Sequence, residues 1–393
     1  MTEKRKSPAL RFRGYTDDWE QRKLGDIFEE YSEKDHAELP ALTIIQGGGT
    51  IRRDESDRAL QYDKKSLSNY KKVDVGDFIV HLRSFEGGLE MATNTGIVSP
   101  AYHIFHGEKV DSRFYYSYFR SKQFINTDLK PHVYGIRDGR SIDIEGMKTI
   151  EIPWTILDEQ KAIGNCIDTL DHLITLHQRK LEKLKLVKKS MLEKMFPKNG
   201  SSVPEIRFKG FTDDWEQRKL GDVVQITMGQ SPDGSTYSDE PSDYILVQGN
   251  ADLQNGWVCP RIWTTQITKK VDAGDLIMSV RAPAGAMGKT AYNAVIGRGV
   301  AAIKGNEFIY QLLVKMDTDG FWKTLSCGST FESLNSDNIK NAEVKIPTTA
   351  EQIKIGGFFQ YLDNLITLHQ RKLKKLQVSE NRCFRRCLFD III

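Results

Sequence analysis

Two stretches of the chain place apolar residues at alternating steps of four and three, which is the period of a coiled-coil helix. In the first stretch the seam positions are Ile163, Ile167, Leu170, Ile174, His177, Leu181 and Leu184. In the second stretch they are Ile355, Phe359, Leu362, Ile366, His369, Leu373 and Leu376. Because a helix with one apolar stripe needs a partner that covers it, we expect the two helices to pair with each other.

A nine-residue segment of identical sequence lies in both helices, as Leu173–Leu181 and Leu365–Leu373, 192 residues apart. Well over 100 residues separate the two helices, and each helix closes one half of the chain. We therefore expect an antiparallel pair, with a pseudo-twofold axis relating the halves. At about 1.5 Å per residue, a helix from Glu159 to Phe196 is roughly 57 Å long, so the pair can set a fixed separation.

The chain is a tandem duplication, because the same landmarks occur in both halves. The segment Arg11–Asp26 recurs as Arg207–Asp222, with fourteen of sixteen positions identical. The segment Lys71–Asp77 recurs as Lys269–Asp275, and Ile152–Pro153 recurs as Ile346–Pro347. Between these landmarks the interiors differ almost completely, as Gln46–Arg53 and Gln230–Tyr237 illustrate. A duplicated scaffold with divergent loops suits a protein that holds two different targets at a fixed separation. DNA with a split site is such a target.

Short β-rich runs between Gly, Asn and Asp turns predict strands in both halves. The predicted strands include Phe78–Val80, Thr95–Val98, Tyr102–Phe105, Tyr244–Val247 and Leu276–Met278. The fold class that we expect is α+β. Its segments are a lead over residues 1–20, a mixed α/β first domain over 21–155, a long helix over 156–197, a linker with the repeated lead over 198–216, a mixed α/β second domain over 217–348, and a second long helix over 349–393.

Composition places the chain among folded proteins of two or three domains, because its 393 residues are 39% hydrophobic and 10% aromatic. No apolar run approaches 18 residues and the segment Met1–Lys6 is polar, so we expect a cytoplasmic protein without a signal peptide. The five cysteines include no Cys-x-x-Cys, which argues against a disulfide framework and a zinc knuckle. The net charge of +3 says little about nucleic acid, but basic residues crowd both long helices.

No catalytic motif is complete. Gly285–Thr290 looks like the end of a phosphate-binding loop, but Pro283 stands where that loop requires glycine. Neither a glycine fingerprint after a strand nor an Asn/Asp-Pro-Pro-aromatic tetrad occurs, so no cofactor is predicted on this chain. His177 and His369 are interpreted as seam residues rather than metal ligands, since neither has a cysteine or carboxylate at ligand spacing.

Several motifs together form a specific family pattern. They are the nine-residue helix segments at 173 and 365, the leads Trp19–Asp26 and Trp215–Asp222, the Glu-Gln pairs at 159 and 351, and, in the second domain, Gly229–Pro232, Gln248–Asn250 and Arg281–Pro283. Over its whole length the chain thus resembles the specificity subunit of type I restriction-modification systems. It departs from the pattern at Asn381–Cys387, which replaces Lys189–Met195 of the first helix.

The resemblance implies two target-recognition domains, each of which reads one half of a bipartite site in double-stranded DNA. It implies that the helices set the gap between the half-sites and dock two modification (methyltransferase) subunits, with restriction and translocase subunits joining the complex. On this reading the chain is not an enzyme, and S-adenosylmethionine, ATP and Mg belong to partner subunits. The alternatives are a coiled-coil scaffold whose domains bind protein or RNA, and an enzyme in its own right.

Candidate DNA-reading residues are basic or amide side chains in the divergent segments, because arginine can bind guanine bidentately and amides can bind adenine. The candidates are Arg52, Arg53, Arg58, Arg83, Arg137 and Arg140 in the first domain, and Gln230, Ser231, Gln248, Asn250, Arg281 and Lys323 in the second. A solvated loop is the alternative interpretation for each of them.

Overall fold

The computed structural model describes residues 8, 10–56, 64–80, 88–134, 141–198, 200–325 and 333–384. The contacts divide the chain into two units. The first unit contains Met1–Gln178 and Lys372–Ile393, and the second contains Arg179–Arg371. Each unit therefore combines one mixed domain with parts of both long helices.

In the described residues, the first domain is built from short strands, three short α-helices and several turns of 3-10 or π helix. Its strands are β1 (Glu20–Lys23), β2 (Glu29–Tyr31), β3 (Leu42–Ile45), β4 (Gly49–Arg52), β5 (Lys71–Val73), β6 (Phe78–Val80), β7 (Glu90–Met91), β8 (Gly96–Val98), β9 (His103–His106), β10 (Val133–Tyr134), β11 (Ser141–Ile142) and β12 (Glu151–Trp154). Its helices are α1 (Leu24–Ile27), α2 (Ser112–Phe119) and α3 (Ile144–Lys148). The long helix α4 (Leu157–Lys194) follows.

The second domain has the same kind of architecture. Its strands are β13 (Glu216–Lys219), β14 (Gln225–Met228), β15 (Tyr237–Ser238), β16 (Tyr244–Val247), β17 (Leu253–Gln254), β18 (Trp257–Val258), β19 (Ile262–Thr264), β20 (Lys270–Val271), β21 (Leu276–Ser279), β22 (Met287–Lys289), β23 (Ala294–Ile296), β24 (Val300–Lys304) and β25 (Glu343–Ile346). Its helices are α5 (Leu220–Val223), α6 (Glu307–Thr318), α7 (Phe321–Leu325) and α8 (Ser336–Lys340), and the long helix α9 (Thr349–Phe384) follows. The five strands predicted from sequence are all present as β6, β8, β9, β16 and β21.

The two domains share the order of four strands in their main sheets and one further strand pair. The sheet β2–β9–β6–β7 of the first domain corresponds to β14–β24–β21–β22 of the second, where β18 and β17 extend the sheet. The pair β5–β8 corresponds to β20 beside β23. In both domains the strand after the lead pairs antiparallel with the strand before the long helix, as β1–β12 and β13–β25. The α+β fold class and the duplication are confirmed.

The two long helices pair in antiparallel orientation. In the second unit, Leu192 and Phe196 near the end of α4 pack in one cluster with Ile355 and Phe359 near the start of α9. In the first unit, the first half of α4 lies beside the end of α9, because Asp171 on α4 hydrogen-bonds with Glu380 on α9. The predicted antiparallel coiled coil is therefore confirmed.

Each unit contains a buried arginine–glutamate clamp between the lead segment and the start of its long helix. Arg11 donates to both carboxylate oxygens of Glu159 at 2.6 and 2.8 Å, and Arg207 donates to those of Glu351 at 2.7 and 2.8 Å. Both glutamate side chains are fully buried, so each carboxylate depends on its arginine for compensation of its charge. The repeated lead is thus the partner of the helix start.

The glutamine that follows each clamp glutamate closes the turn before the helix. Gln160 Nε2 donates to the carbonyl of Thr155 at 2.7 Å, and Gln352 Nε2 donates to the carbonyl of Pro347 at 3.0 Å. In both units, therefore, the glutamate of the Glu-Gln motif pairs with the arginine of the lead, and the glutamine closes the turn before the helix.

Candidate nucleic-acid interface

Four segments of the second domain meet at one end of its sheets. They are Gly229–Ser231 after β14, Gln248–Asn250 after β16, Arg281 after β21, and Gly297–Gly299 between β23 and β24. Backbone hydrogen bonds join them, with Gln230 N donating to Ile296 O at 2.9 Å, Gly297 N to Val247 O at 2.8 Å and Val280 N to Gly299 O at 2.9 Å. We call Gln230, Ser231, Gln248, Asn250, Arg281 and Arg298 the second-domain loop cluster.

Arg298 is a member of this cluster that the sequence did not suggest. Its side chain is exposed, and its backbone N–H donates to Ser231 Oγ at 3.1 Å. The glycines on either side are buried, and a Cβ added at Gly299 would lie 2.0 Å from the carbonyl oxygen of Gln248. Because the turn packs backbone against backbone, Arg298 is the one side chain that it can present to solvent.

Arg281 and Arg298 differ from other basic residues of the second domain in their ion pairing. Arg261, Lys289 and Lys304 pair with carboxylates at 2.9, 2.9 and 3.0 Å, respectively. In the described part of the chain, neither Arg281 nor Arg298 forms an ion pair. Two guanidinium groups at the cluster are therefore available for an anionic ligand.

Asp252 holds the shape of one loop of the cluster. Its side chain is buried, and Oδ2 accepts the backbone N–H groups of Gln248 at 2.7 Å and Gly249 at 3.2 Å. Arg261 Nε donates to Oδ1 at 2.9 Å and compensates the charge. The loop that carries Gln248 and Asn250 is consequently ordered without help from a ligand. Lys323, the remaining candidate of this domain, is exposed on the separate helix α7.

In the first domain a glycine-rich hairpin, β3–β4, is anchored by a buried carboxylate. Glu90 accepts from Gly47 N at 2.7 Å and from Tyr116 Oη at 2.9 Å, and it also pairs with Arg120. Gly47 has a φ of 74°, a conformation that favours glycine. Burial, and then the negative charge of Glu90, raise the pKa of Tyr116, so its hydroxyl remains a neutral donor. The hairpin is therefore held rigidly against the domain.

The first-domain candidates have different environments. Arg52 is exposed at the end of β4, where it pairs with Asp54 at 2.8 Å. Arg53 donates to the carbonyl of Leu42 at 3.1 Å and to Tyr70 Oη at 3.2 Å, a placement that favours a structural role. The remaining four candidates, Arg58, Arg83, Arg137 and Arg140, lie outside the described residues.

All fourteen predicted seam positions of the long helices are buried or half-buried, including His177 and His369.

Within the described ranges, no group of three or more His, Cys, Asp or Glu side chains is arranged to hold a metal ion. None of the helices in the described part of the chain has the length and apolar content of a membrane span.

The outer faces of the helices keep exposed apolar residues at equivalent positions. Leu176 on α4 and Leu368 on α9 are 50% and 45% exposed, although they belong to the identical nine-residue segments. Leu186 and Val378, also 192 residues apart, are 68% and 51% exposed. Helix pairing does not explain these residues, because the seam lies on another face.

Comparisons with known proteins cover both domains. A family model described as the type I restriction modification DNA specificity domain matches residues 16–186 and 212–378. The chain is 26% identical over 400 residues to the MjaX type I restriction enzyme specificity subunit of Methanocaldococcus jannaschii, with 93% of this chain and 92% of that protein covered. It is 22% identical over 307 residues to the MjaVIII specificity subunit of the same organism, with 69% and 68% covered. A crystal structure of the S subunit of a type I restriction-modification system from M. genitalium shares the fold, with a TM-score of 0.66 at 14% identity over 97% of this chain and 99% of that chain.

Proposed function

The chain belongs to the type I restriction-modification DNA specificity family, and from this premise we propose that each of its two domains reads one half of a bipartite site in double-stranded DNA. Specificity subunits of this family are recognition components without catalytic activity. The chemistry of the complex, with S-adenosylmethionine, ATP and Mg, then belongs to the modification and restriction subunits. We propose that the protein acts in the cytoplasm.

The observation that carries the proposal is one scaffold with two sets of loops. The strand order β2–β9–β6–β7 of the first domain recurs as β14–β24–β21–β22 in the second, while the loop residues differ. For example, the turn that holds Arg298 between β23 and β24 corresponds to Ser99–Tyr102 between β8 and β9. Two copies of one framework that present different side chains suit a target with two unlike halves.

The second-domain loop cluster has the chemistry of a DNA-reading surface. Arg281 and Arg298 supply guanidinium groups that can bind guanine edges or phosphates, and Gln230, Gln248 and Asn250 supply amides that can bind adenine. In the first domain we propose the β3–β4 hairpin with Arg52 as the corresponding surface. The other residues named from sequence, among them Lys323, stay candidates for phosphate contacts.

Replacing Arg298 with alanine should weaken binding to the specific target by about 1–3 kcal/mol, roughly 5- to 150-fold, if the guanidinium contacts a base edge. If it contacts a phosphate, binding to all duplexes should weaken and the log–log salt slope should fall by about 1. Titration of the assembled complex with specific and nonspecific duplexes at several salt concentrations distinguishes these results.

Lys304→Ala is the matched control, because it removes one positive charge, as Arg298→Ala does. Lys304 is exposed and lies at the end of β24 that is remote from Arg298. This variant should bind specific DNA like the wild type. Equal affinity of Arg298→Ala, Lys304→Ala and wild-type complexes for the specific duplex, with unchanged salt slopes, would contradict a role for the loop cluster in DNA binding.

We further propose that Leu176 and Leu368, with Leu186 and Val378, mark two equivalent docking sites for two modification subunits. Two copies of one partner require the same surface twice, and these exposed apolar positions recur in both halves of the chain. Tyr361 is 62% exposed on α9, but its counterpart on α4 is Thr169, so it does not meet this requirement.

Leu176→Glu should leave one modification subunit bound, Leu368→Glu should leave the other, and the double variant should bind neither. The physical reason is that a carboxylate at the centre of an apolar contact must be desolvated without a partner. Mass measurement of the complex formed with purified modification subunit gives the stoichiometry. Tyr361→Glu, the control, should retain two subunits. Full assembly of the Leu176→Glu/Leu368→Glu variant would refute the assignment.

A further inference from the structure

The two units of the helix pair carry polar pairs at equivalent positions, but the pairs differ in charge. In the second unit, Lys188 Nζ on α4 donates to Asp363 Oδ1 on α9 at 2.6 Å. In the first unit, Asp171 on α4 hydrogen-bonds with Glu380 on α9. Asp171 and Asp363 are equivalent in the duplication, 192 residues apart, and so are Lys188 and Glu380. The aspartate is thus the same in both copies, whereas the second copy has a glutamate where the first has a lysine.

In the second unit this pair belongs to a network that reaches the recognition domain. The other oxygen of Asp363 accepts from Gln311 Nε2 on α6 at 2.8 Å. Gln311 Nε2 also donates to Glu307 at 2.9 Å, and Lys289 on β22 pairs with Glu307 at 2.9 Å. Gln311 is fully buried, and the network contains two cationic and two anionic side chains. Asp363 thus connects α9 to α4 and to the second domain at once.

In the described part of the first unit, neither Asp171 nor Glu380 forms an ion pair or hydrogen bond with the first domain. Two ionised carboxylates cannot donate to each other, so this contact requires a shared proton. The charged groups nearby are Asp168 on α4 and Arg113 on α2, which approach to 3.4 Å, and Asp111, which pairs with Arg113 at 2.5 Å. Arg113 is therefore engaged by other carboxylates.

We propose that Asp363 is a positioning residue that fixes the second domain on the helix pair, whereas the Asp171–Glu380 contact holds the first-unit end of the pair only while it retains a proton. The inference rests on the proposed function, because the orientation of a domain matters for recognition when each domain must meet its half-site at a set spacing. The two ends of the helix pair therefore differ, because a lysine–aspartate pair holds the second-unit end and a contact that responds to pH holds the first-unit end.

The direction of the pH response follows from the environment of Glu380. Burial, and then the hydrogen bond and negative charge of Asp171, raise the pKa of Glu380 to about 7 from an ordinary value of 4.5. A carboxyl group with a raised pKa in the folded state stabilises that state below about pH 4.5, and this contribution is lost as the pH rises towards 7. The first-unit end should therefore loosen between these values.

Reciprocal charge exchanges test the proposal, because each copies one pairing into the other unit. Glu380→Lys introduces the lysine–aspartate pair into the first unit, and Lys188→Glu introduces the carboxyl pair into the second. Glu380→Gln mimics the protonated state without adding a positive charge. The first measurement is hydrogen exchange of the full-length protein without DNA from pH 5 to 8, expressed as protection factors for residues 372–384 and 349–371.

In the wild type, protection of residues 372–384 should fall severalfold as the pH rises from 5 to 7, while residues 349–371 change little. The fall should be smaller than tenfold per pKa unit, because Asp171 is exposed and solvent screens the pair. Glu380→Lys and Glu380→Gln should both abolish the fall. Lys188→Glu should transfer a pH-dependent loss of protection to residues 349–371. A fall that persists in both Glu380 variants, or no loss in Lys188→Glu, would overturn the proposal.

The second measurement is the affinity of the assembled complex for duplexes that carry both half-sites, which methylation mapping identifies beforehand. One duplex has the native spacing between the half-sites, and the others have one base pair added or removed. Asp363→Asn and Lys188→Glu should each reduce discrimination between these duplexes by about tenfold or more, the size of one broken buried contact. Unchanged discrimination in both variants would overturn the positioning role. If the wild-type complex binds no duplex specifically, the proposed function fails, while hydrogen exchange still decides whether the charge pairs act as described.

Discussion

A chimera in which residues 27–151 are replaced by a copy of residues 223–345 should recognise an inverted repeat of the second half-site. Both domains of this chimera would be identical, and symmetric readers bind palindromic sites. The exchange respects the structure, because the lead strand pairs with the strand before the long helix in both units, as β1–β12 and β13–β25. Methylation mapping with the assembled complex would show the new target.

The contacts at the junctions support this exchange. Gly25 in α1 packs against Lys148, where an added Cβ would lie 3.0 Å from the lysine Cβ, and Gly221 in α5 has the same relation to Lys340. The reciprocal chimera, with residues 27–151 copied into the second domain, serves as the control and should select an inverted repeat of the first half-site. Modification of the original asymmetric site by a folded, assembled chimera would contradict the assignment of one half-site to one domain.

Replacing both Leu181 and Leu373 with aspartate should separate the two long helices and abolish specific DNA binding. Leu181 is 7% exposed and Leu373 is half-buried. Burial of a leucine contributes roughly 1.5–3 kcal/mol, and a buried carboxylate without a partner adds a further cost. Together the two changes remove several kcal/mol from a free energy of unfolding that is typically about 5–15 kcal/mol. Thermal unfolding and DNA binding of the double variant measure both effects.

The matched control is the pair Leu186→Asp and Val378→Asp, which makes the same change in chemistry on the same helices at exposed positions. Its free energy of unfolding should remain within about 0.5 kcal/mol per site of the wild type. If the Leu181→Asp/Leu373→Asp protein were as stable as this control and bound specific DNA normally, the predicted seam would be wrong.

Local patterns in the sequence determined the helices, several strands and the duplication. The alternating steps of four and three at Ile163, Ile167 and Leu170 lie within one helical stretch, so they can be read without knowing the fold. Strands such as Phe78–Val80 and Tyr244–Val247 were recognisable because β-rich runs are bounded by turn residues. The repeated landmarks then predicted two copies of one unit, and the shared strand order confirms this.

The composition of the candidate site depended on long-range pairing. Arg298 follows a short strand and has no unusual neighbours in sequence other than glycine, yet strand order places its turn beside Ser231 and Gln248. Arg53 lies next to Arg52 in sequence, but its guanidinium turns back to the carbonyl of Leu42. Sequence distinguishes residue types but not the direction in which neighbouring side chains point, and this direction decides which of them can reach a ligand.

The clamps and the helix charge pairs required the tertiary structure for the same reason. Arg11 and Glu159 are each unremarkable in a charged segment, and only the fold brings them within 2.6 Å across 148 residues of chain. The sequence showed that Glu380 replaces the lysine found at the equivalent position 188, but it did not show that Asp171 faces that glutamate. Periodicity is a local property and was determined by the sequence, whereas the partner of each charged side chain was decided by contacts between residues far apart in the chain.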